Sequence, residues 1–139
     1  MSERIFPARL DQLDSVLTFI DEELERNHCS PREKYQLDIA AEEIFVNIAH
    51  YAYHPEQPGE ATVRFCIGGE PLQVTIQFLD NGQPFNPLEK KDADTTLTAE
   101  ERNIGGLGIL MVKKSMDAVD YQYADGKNIL TMKKNLSNP

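Results

Sequence analysis

The chain has 139 residues, of which 40% are hydrophobic and 27% are charged, and its formal net charge is −9 at pH 7. This length and composition predict one globular domain, residues 1–139, that can bury a hydrophobic core. The acidic balance argues against nucleic-acid binding, because no cluster of Lys and Arg could neutralise phosphates. The patterns of a signal peptide and of a membrane span are both missing, so we expect a cytoplasmic protein without membrane contact.

The first predicted elements are a short strand and an amphipathic helix. The strand covers residues 4–8 (RIFPA) and the helix covers residues 10–27. Apolar residues recur in the helix at every third or fourth position, with acidic residues on the other side. These apolar residues are Leu10, Leu13, Leu17 and Ile20.

A second helix is predicted from Pro31 to a point before Pro55. Ser30 is a typical N-cap, and Glu33 three residues later completes a capping box. Proline is tolerated at the first helical position because its missing N–H would be unpaired there anyway. The apolar stripe of this helix consists of Leu37, Ala41, Ile44, Ile48 and Tyr51.

Two polar residues of the second helix, Glu43 and Asn47, stand four positions apart and therefore share one face. A carboxylate can act as a general base, and an amide oxygen suits a hard cation such as Mg²⁺. An exposed pair without function is the alternative. Glu42 points about 100° away round the helix and is predicted to be a surface charge.

A hairpin follows over residues 60–80, with its turn at residues 68–71 (GGEP). The second strand alternates polar residues with Leu72, Val74, Ile76 and Phe78. Asp80 takes the next position on the apolar side, and a buried aspartate must be paired or bonded. Such an acceptor suits an exocyclic amine of a flat ligand, which Gly82 would allow to approach closely. Asn81 and Gly82 would also form an ordinary turn.

Residues 86–103 show no periodicity, which is typical of a solvated loop or of a binding lid. Glycines then open a third helix, and the N–H groups at a helix start attract phosphate. These glycines are Gly105, Gly106 and Gly108, and a flexible hinge is the alternative. Residues 118–134 are predicted to form two strands joined by a turn at Asp125 and Gly126.

The order and spacing of three stretches resemble the sequence boxes of the GHKL ATPase superfamily. The stretches read EEIFVN, DNGQP and IGGLGILMVKKSMD, and the likeness covers residues 31–134. More narrowly, the chain resembles the anti-sigma factor serine/threonine kinases, which have an HATPase domain. The resemblance implies an α/β two-layer sandwich of the Bergerat ATP-binding type, with a mixed, mainly antiparallel sheet and helices on one face.

The resemblance also implies roles for particular residues. Glu43 would be the catalytic base, and Asn47 would bind both ATP and Mg²⁺. The other ATP-binding residues implied are Asp80 at the adenine amine, Gly82, Phe85, Gly105, Gly106, Leu107, Gly108 and Asn128. Asn128 could fill a polar position beside adenine, since the Gly-Thr pair often found before the last strand is absent, or it could be a turn residue. Pro84 also departs from the family, which often has glycine there.

Two functions are compatible with this pattern. The first is an ATP-dependent serine/threonine kinase that phosphorylates an anti-anti-sigma partner of the STAS type. The second is a non-catalytic, nucleotide-sensing module that sequesters a sigma factor or another regulatory partner. Members of the family often dimerise, so a homodimer is also compatible with the pattern. Separately, Arg102 is a candidate for contacting the phosphates of ATP.

A metal enzyme is disfavoured as a third function. It would need His28 and Cys29 together with His50 and His54, and these two pairs lie at opposite ends of the second helix. Cys29 and Cys66 lack the spacing of a metal site and are predicted to be free thiols.

Overall fold

The computed structural model describes residues 1–89 and 106–136, which form one antiparallel sheet covered by helices. The strands are β1 (Ser2–Pro7), β2 (Glu60–Gly68), β3 (Gln73–Asp80), β4 (Ala118–Ala124) and β5 (Lys127–Asn135). The helices are α1 (Leu13–Arg26), α2 (Pro31–Tyr51) and α3 (Gly106–Ser115), with short 3-10 turns at Leu10–Gln12 and Pro87–Glu89. The strand order across the sheet is β1-β2-β3-β5-β4. The predicted two-layer α/β sandwich is confirmed.

The pairing of the strands corrects one detail of that prediction. All four pairings between the described strands are antiparallel, whereas a mixed sheet was expected. Strands β3 and β4 do run in the same direction, because α3 carries the chain over from one to the other. However, β5 lies between them, so no parallel ladder forms within this part of the chain.

The start of α2 shows the predicted cap. The backbone N–H of Glu33 donates to the Ser30 hydroxyl oxygen at 3.2 Å, and that hydroxyl donates to Glu33 Oε1 at 2.8 Å. Helix α1, in contrast, begins three residues later than the apolar pattern predicts. Leu10 lies in a 3-10 turn and is 51% exposed, because the buried stripe of α1 is centred on Val16 and Ile20.

The hydrophobic core lies between the helices and one face of the sheet. Alternate residues of the three central strands point into it: Ala61, Val63 and Phe65 of β2, Val74, Ile76 and Phe78 of β3, and Leu130 and Met132 of β5. Asp80 and Asn128 continue this inward-facing series and are paired across β3 and β5. Two polar side chains are thereby placed under the helices at one end of the sheet.

An acidic pair lies between α1 and α2, away from that end of the sheet. Asp21 Oδ1 and Asp38 Oδ1 are buried oxygens that accept no hydrogen bond within the described residues. A proton on Asp38 would let one carboxyl donate to the other. Burial, reinforced by the neighbouring Asp21, raises the pKa of Asp38 to about 8, and Lys34, 3.7 Å from Asp21, opposes this shift.

Replacing Asp38 should therefore alter how stability depends on pH. Between about pH 4, the pKa of an unfolded aspartate, and pH 8, the folded chain holds a proton that the unfolded chain has lost, so the free energy of unfolding falls as pH rises. Asp38→Asn should remove this slope and raise the melting temperature more at pH 8 than at pH 5. Glu42→Gln, at an exposed site of the same helix, is the control. An equal effect of Asp38→Asn at both pH values would contradict the shared proton.

Candidate active site

A cleft opens between α2, the ends of β3 and β5, and the segment that follows β3. Its empty volume, which includes space open to solvent, is about 320 Å³. The wall is mostly apolar and consists of Ile44, Ile48, Ala52, Phe78, Phe85, Pro87 and Leu130, with Asn47, Asp80, Tyr121 and Asn128 as polar members. An apolar slot with a few convergent polar groups suits a flat heterocycle.

Glu43 and Asn47 are joined on the inner face of α2. The Asn47 side-chain amide donates to Glu43 Oε1 at 3.0 Å and to the Glu43 carbonyl at 2.7 Å. The two residues are 9% and 2% exposed, so they are not the exposed pair of the alternative interpretation. Because the Asn47 nitrogen serves both acceptors, its Oδ1 is left without a partner among the described residues and is free to bind a cation.

The first turn of α3 lies directly against Glu43. A Cβ atom added at Gly108 would stand 2.2 Å from Glu43 Oε2 and 2.3 Å from its Cδ. Glycine at this position therefore permits the close approach of α3 to the carboxylate. Gly106 and Leu107 begin the helix, and Gly105 lies outside the described residues.

Asp80 is buried at the end of β3, as its parity in the strand predicts. It is 5% exposed, and its Oδ1 accepts the Gly82 backbone N–H at 2.9 Å and the Asn128 side-chain amide at 2.8 Å. Burial raises the pKa of the carboxyl, while these two hydrogen bonds act in the opposite direction. Its Oδ2 has no partner in the described part of the chain. Asn128 is itself 5% exposed and is therefore not a solvent-facing turn residue.

Gly82 contacts the end of α2. A Cβ atom at this position would lie 2.1 Å from the Ala52 carbonyl oxygen, and the neighbouring Gln83 N–H donates to that oxygen at 2.9 Å. Glycine thus lets the segment after β3 pack against the helix end, in addition to any contact with a ligand. The sequence predicted the close approach of a ligand at Gly82, whereas this packing against Ala52 was not predicted.

Gly82→Ala should lower the melting temperature, because the atom that would collide with the new methyl group belongs to the backbone. The loss should be on the order of 1–3 kcal/mol, the usual cost of overpacking. Gly68→Ala is the matched control, since a Cβ atom there meets nothing within 4 Å. Thermal unfolding of both variants tests this. Equal melting temperatures would show that the helix end moves aside without cost.

The remaining wall of the cleft includes Phe85, which the family resemblance implied, together with two residues that the sequence did not single out, Pro87 and Tyr121. The ring of Phe85 stacks on Tyr51 with a centroid distance of 5.0 Å, and Pro87 is buried. Pro87, near the start of the predicted lid, thus belongs to the wall, while residues 90–103, including Arg102, lie outside the described part of the chain. Tyr121 was missed, although its parity with Val119 on β4 directs it to the inner face.

No metal site of the histidine and cysteine type is present in the described residues. Within residues 1–89 and 106–136, no three His, Cys, Asp or Glu side chains come close enough to hold an ion. Both cysteines are free thiols, as predicted. No helix in the same ranges is long and apolar enough to cross a membrane.

An antiparallel sheet with helices on one face and a mostly apolar cleft between the layers defines a two-layer α/β domain with a candidate ligand site. Residues 6–134 match the model of the histidine kinase-like ATPase domain. The chain therefore belongs to the histidine kinase-like ATPase domain family, and the resemblance seen in the sequence is confirmed.

Two similar proteins are protein kinases. The chain is 27% identical over 107 residues to the serine/threonine-protein kinase BtrW of Bordetella bronchiseptica, covering 77% of this chain and 74% of the relative. It is 33% identical over 101 residues to the serine-protein kinase RsbW of Listeria monocytogenes, covering 70% of this chain. This second match spans 63% of RsbW, which is less than two thirds of its length.

Two solved structures share the fold. The RsbU and RsbW domains of Rv1364c from Mycobacterium tuberculosis match with a TM-score of 0.67 at 14% identity, over 100% of this chain and 34% of that one. The SiaB-SiaC complex from Pseudomonas aeruginosa matches with a TM-score of 0.55 at 17% identity, over 96% of this chain and 89% of that one. At these identities the likeness concerns the fold alone.

Proposed function

We propose that this chain is an ATP-dependent serine/threonine protein kinase of the anti-sigma factor type, and that its protein substrate is an anti-anti-sigma partner with a STAS domain. The observation that carries the proposal is the contact of Glu43 with both Asn47 and the first turn of α3. A buried carboxylate, an amide oxygen and the start of a helix adjoin a cleft whose apolar wall and few polar groups would suit adenine. The named kinase relatives support the same activity.

In the proposed complex, adenine occupies the apolar slot with its amine at Asp80. The phosphates extend toward the start of α3, where Gly105, Gly106, Leu107 and Gly108 would offer backbone N–H groups. Asn47 fits Mg²⁺ because its Oδ1 is left open, and Mg²⁺ commonly takes few protein ligands beside phosphate oxygens and water. When bound, the ion would supply charge neutralisation of the phosphates.

The proposed reaction moves one phosphoryl group and one proton. The hydroxyl oxygen of a Ser or Thr bonds to the γ-phosphorus, the bond from that phosphorus to the bridging oxygen breaks, and ADP leaves. Glu43 accepts the hydroxyl proton. The buried position of the carboxylate beside Asn47 would hold it in one orientation for that transfer.

Transfer of label from γ-labelled ATP tests the proposal. The acceptor should be the STAS-domain protein encoded nearest to the gene for this chain, incubated with the chain and Mg²⁺. Label should appear on a Ser or Thr of that acceptor and should vanish when Mg²⁺ is chelated. Tight binding of ATP and of the partner without any transfer would favour the non-catalytic sequestering module.

Sedimentation of the chain alone would show whether it forms the homodimer that the family resemblance allows.

A further inference from the structure

Asn128 uses its entire hydrogen-bonding capacity inside the cleft. Its nitrogen donates to Asp80 Oδ1 and to the Gln83 carbonyl, both at 2.8 Å. Its Oδ1 accepts the Phe85 backbone N–H at 3.0 Å and the Tyr121 hydroxyl. Because an amide has two N–H donors and two lone pairs, all four are occupied. If the amide rotated by 180°, its nitrogen would face two donors and its oxygen would face two acceptors, so the observed orientation is fixed.

Tyr121 fixes this orientation from the neighbouring strand. It lies on β4, lines the cleft, and donates its hydroxyl to Asn128 Oδ1. Burial raises the pKa of this hydroxyl above its usual value, so it keeps its proton and remains a donor at neutral pH. The amide nitrogen of Asn128 is consequently held toward Asp80.

The result at Asp80 is a carboxylate with two different oxygens. Oδ1 is occupied by the Asn128 amide and the Gly82 N–H, whereas Oδ2 is without a donor in the described ranges. Burial alone would favour the neutral acid, and a neutral acid would offer a proton. The two N–H donors favour the ionised form, which only accepts.

We infer that Tyr121 and Asn128 are positioning residues that aim the carboxylate of Asp80 and thereby set the choice of purine in this cleft. The inference rests on the proposed function and assigns a task to Tyr121 that ATP binding by itself does not require. An ionised acceptor matches the amine at C6 of adenine. It opposes the carbonyl oxygen that guanine and hypoxanthine carry at the same position.

Few titratable side chains of the described residues interact electrostatically with Asp80. Tyr53, from the segment after α2, and Tyr121, from β4, are the titratable side chains whose electrostatic interaction with it is resolved in the described residues. Both have a raised pKa, because of burial, and stay neutral in the acidic range. The strand neighbour on β2 is the apolar Ala61. A change of purine preference in the acidic range therefore reports on Asp80 itself.

Calorimetric titration with Mg·ADP and Mg·IDP tests the inference, because the two ligands have the same phosphates and differ only at C6 and at the neighbouring N1, which carries a proton in hypoxanthine. The wild-type chain should bind ADP at least about tenfold more tightly, the worth of one well-placed hydrogen bond. Tyr121→Phe should reduce that ratio about 3- to 10-fold. The pH below which the preference disappears should also move upward, since Asp80 would protonate more readily. Tyr123→Phe, on the same strand and 47% exposed, should change neither quantity.

Asn128→Asp provides a second, stronger test. It keeps the shape of the side chain but places a carboxyl group beside Asp80, which should raise the pKa of the pair and abolish the preference for ADP near neutral pH. If the wild-type chain prefers ADP and both variants keep its ratio and pH profile, the inference is wrong while the proposed function stands. If the wild-type chain binds neither ligand, both are overturned. Should Asn128→Asp not fold, Tyr121→Phe alone decides.

Discussion

Glu43→Gln should slow phosphoryl transfer by about 10²- to 10⁴-fold, the usual contribution of a positioned general base. Glutamine has the same shape and can still accept the hydrogen bond that Asn47 donates to Oε1 at 3.0 Å. The fold and most of the affinity for Mg·ADP should therefore survive, because the proton is moved only in the transition state. The initial rate of label transfer from ATP to the STAS-domain acceptor measures the effect.

Glu42→Gln is the control for this prediction. Glu42 is the preceding residue of α2 and is exposed, so its substitution changes the net charge equally without touching the cleft. It should transfer at the wild-type rate. Identical transfer by Glu43→Gln and the wild-type chain would remove Glu43 as the base, and identical absence of transfer in both would favour the sequestering module.

Asn47→Ala should weaken the Mg²⁺-dependent part of nucleotide affinity and should also reduce transfer. Substitution of a residue that merely supports a metal ligand commonly lowers metal affinity by about 10- to 100-fold. Substitution of a direct ligand should lower it at least as much. Unlike Glu43, this side chain would act on a charge already present in the bound ground state, so binding itself suffers. Titration with ADP, with and without Mg²⁺, separates the two contributions.

Val46→Ala serves as the control for Asn47→Ala. Val46 is half-buried on the same helix and does not line the cleft, so its truncation tests the cost of a shortened side chain alone. Its ratio of affinities with and without Mg²⁺ should equal that of the wild-type chain. An unchanged ratio in Asn47→Ala as well would show that Asn47 does not hold the ion.

The parts of the fold that could be predicted from the sequence are those that depend on local interactions. The cap of α2 was predicted from Ser30 and Glu33, since both partners stand within one helical turn. The turn between β4 and β5 was predicted from Asp125 and Gly126. Their φ values are 56° and 76°, and a two-residue hairpin turn of type I′ requires a positive φ at both positions. The position of β5 between β3 and β4 was not predicted, because strand order depends on packing between distant segments.

The same division applies to the candidate site. The shared face of Glu43 and Asn47 follows from helical spacing, and the burial of Asp80 follows from strand alternation. The contact of Glu43 with Gly108 could not be predicted, because it depends on how α3 packs on α2. The link from Tyr121 to Asp80 through Asn128 was missed for a similar reason. This link joins side chains of β3, β4 and β5, and the register between these strands is set only when the sheet has folded.

The central claim, that the cleft is an adenine nucleotide site, is tested most directly by calorimetric titration of the whole chain with Mg·ADP and Mg·GDP. One ADP should bind per chain, with at least about tenfold preference over GDP, and Asp80→Asn should lose that preference because its amide adds donors where only acceptors stood. The melting temperature of Asp80→Asn without ligand shows whether the variant is folded. Equal affinity for ADP and GDP, or no binding of either by the wild-type chain, would contradict the claim.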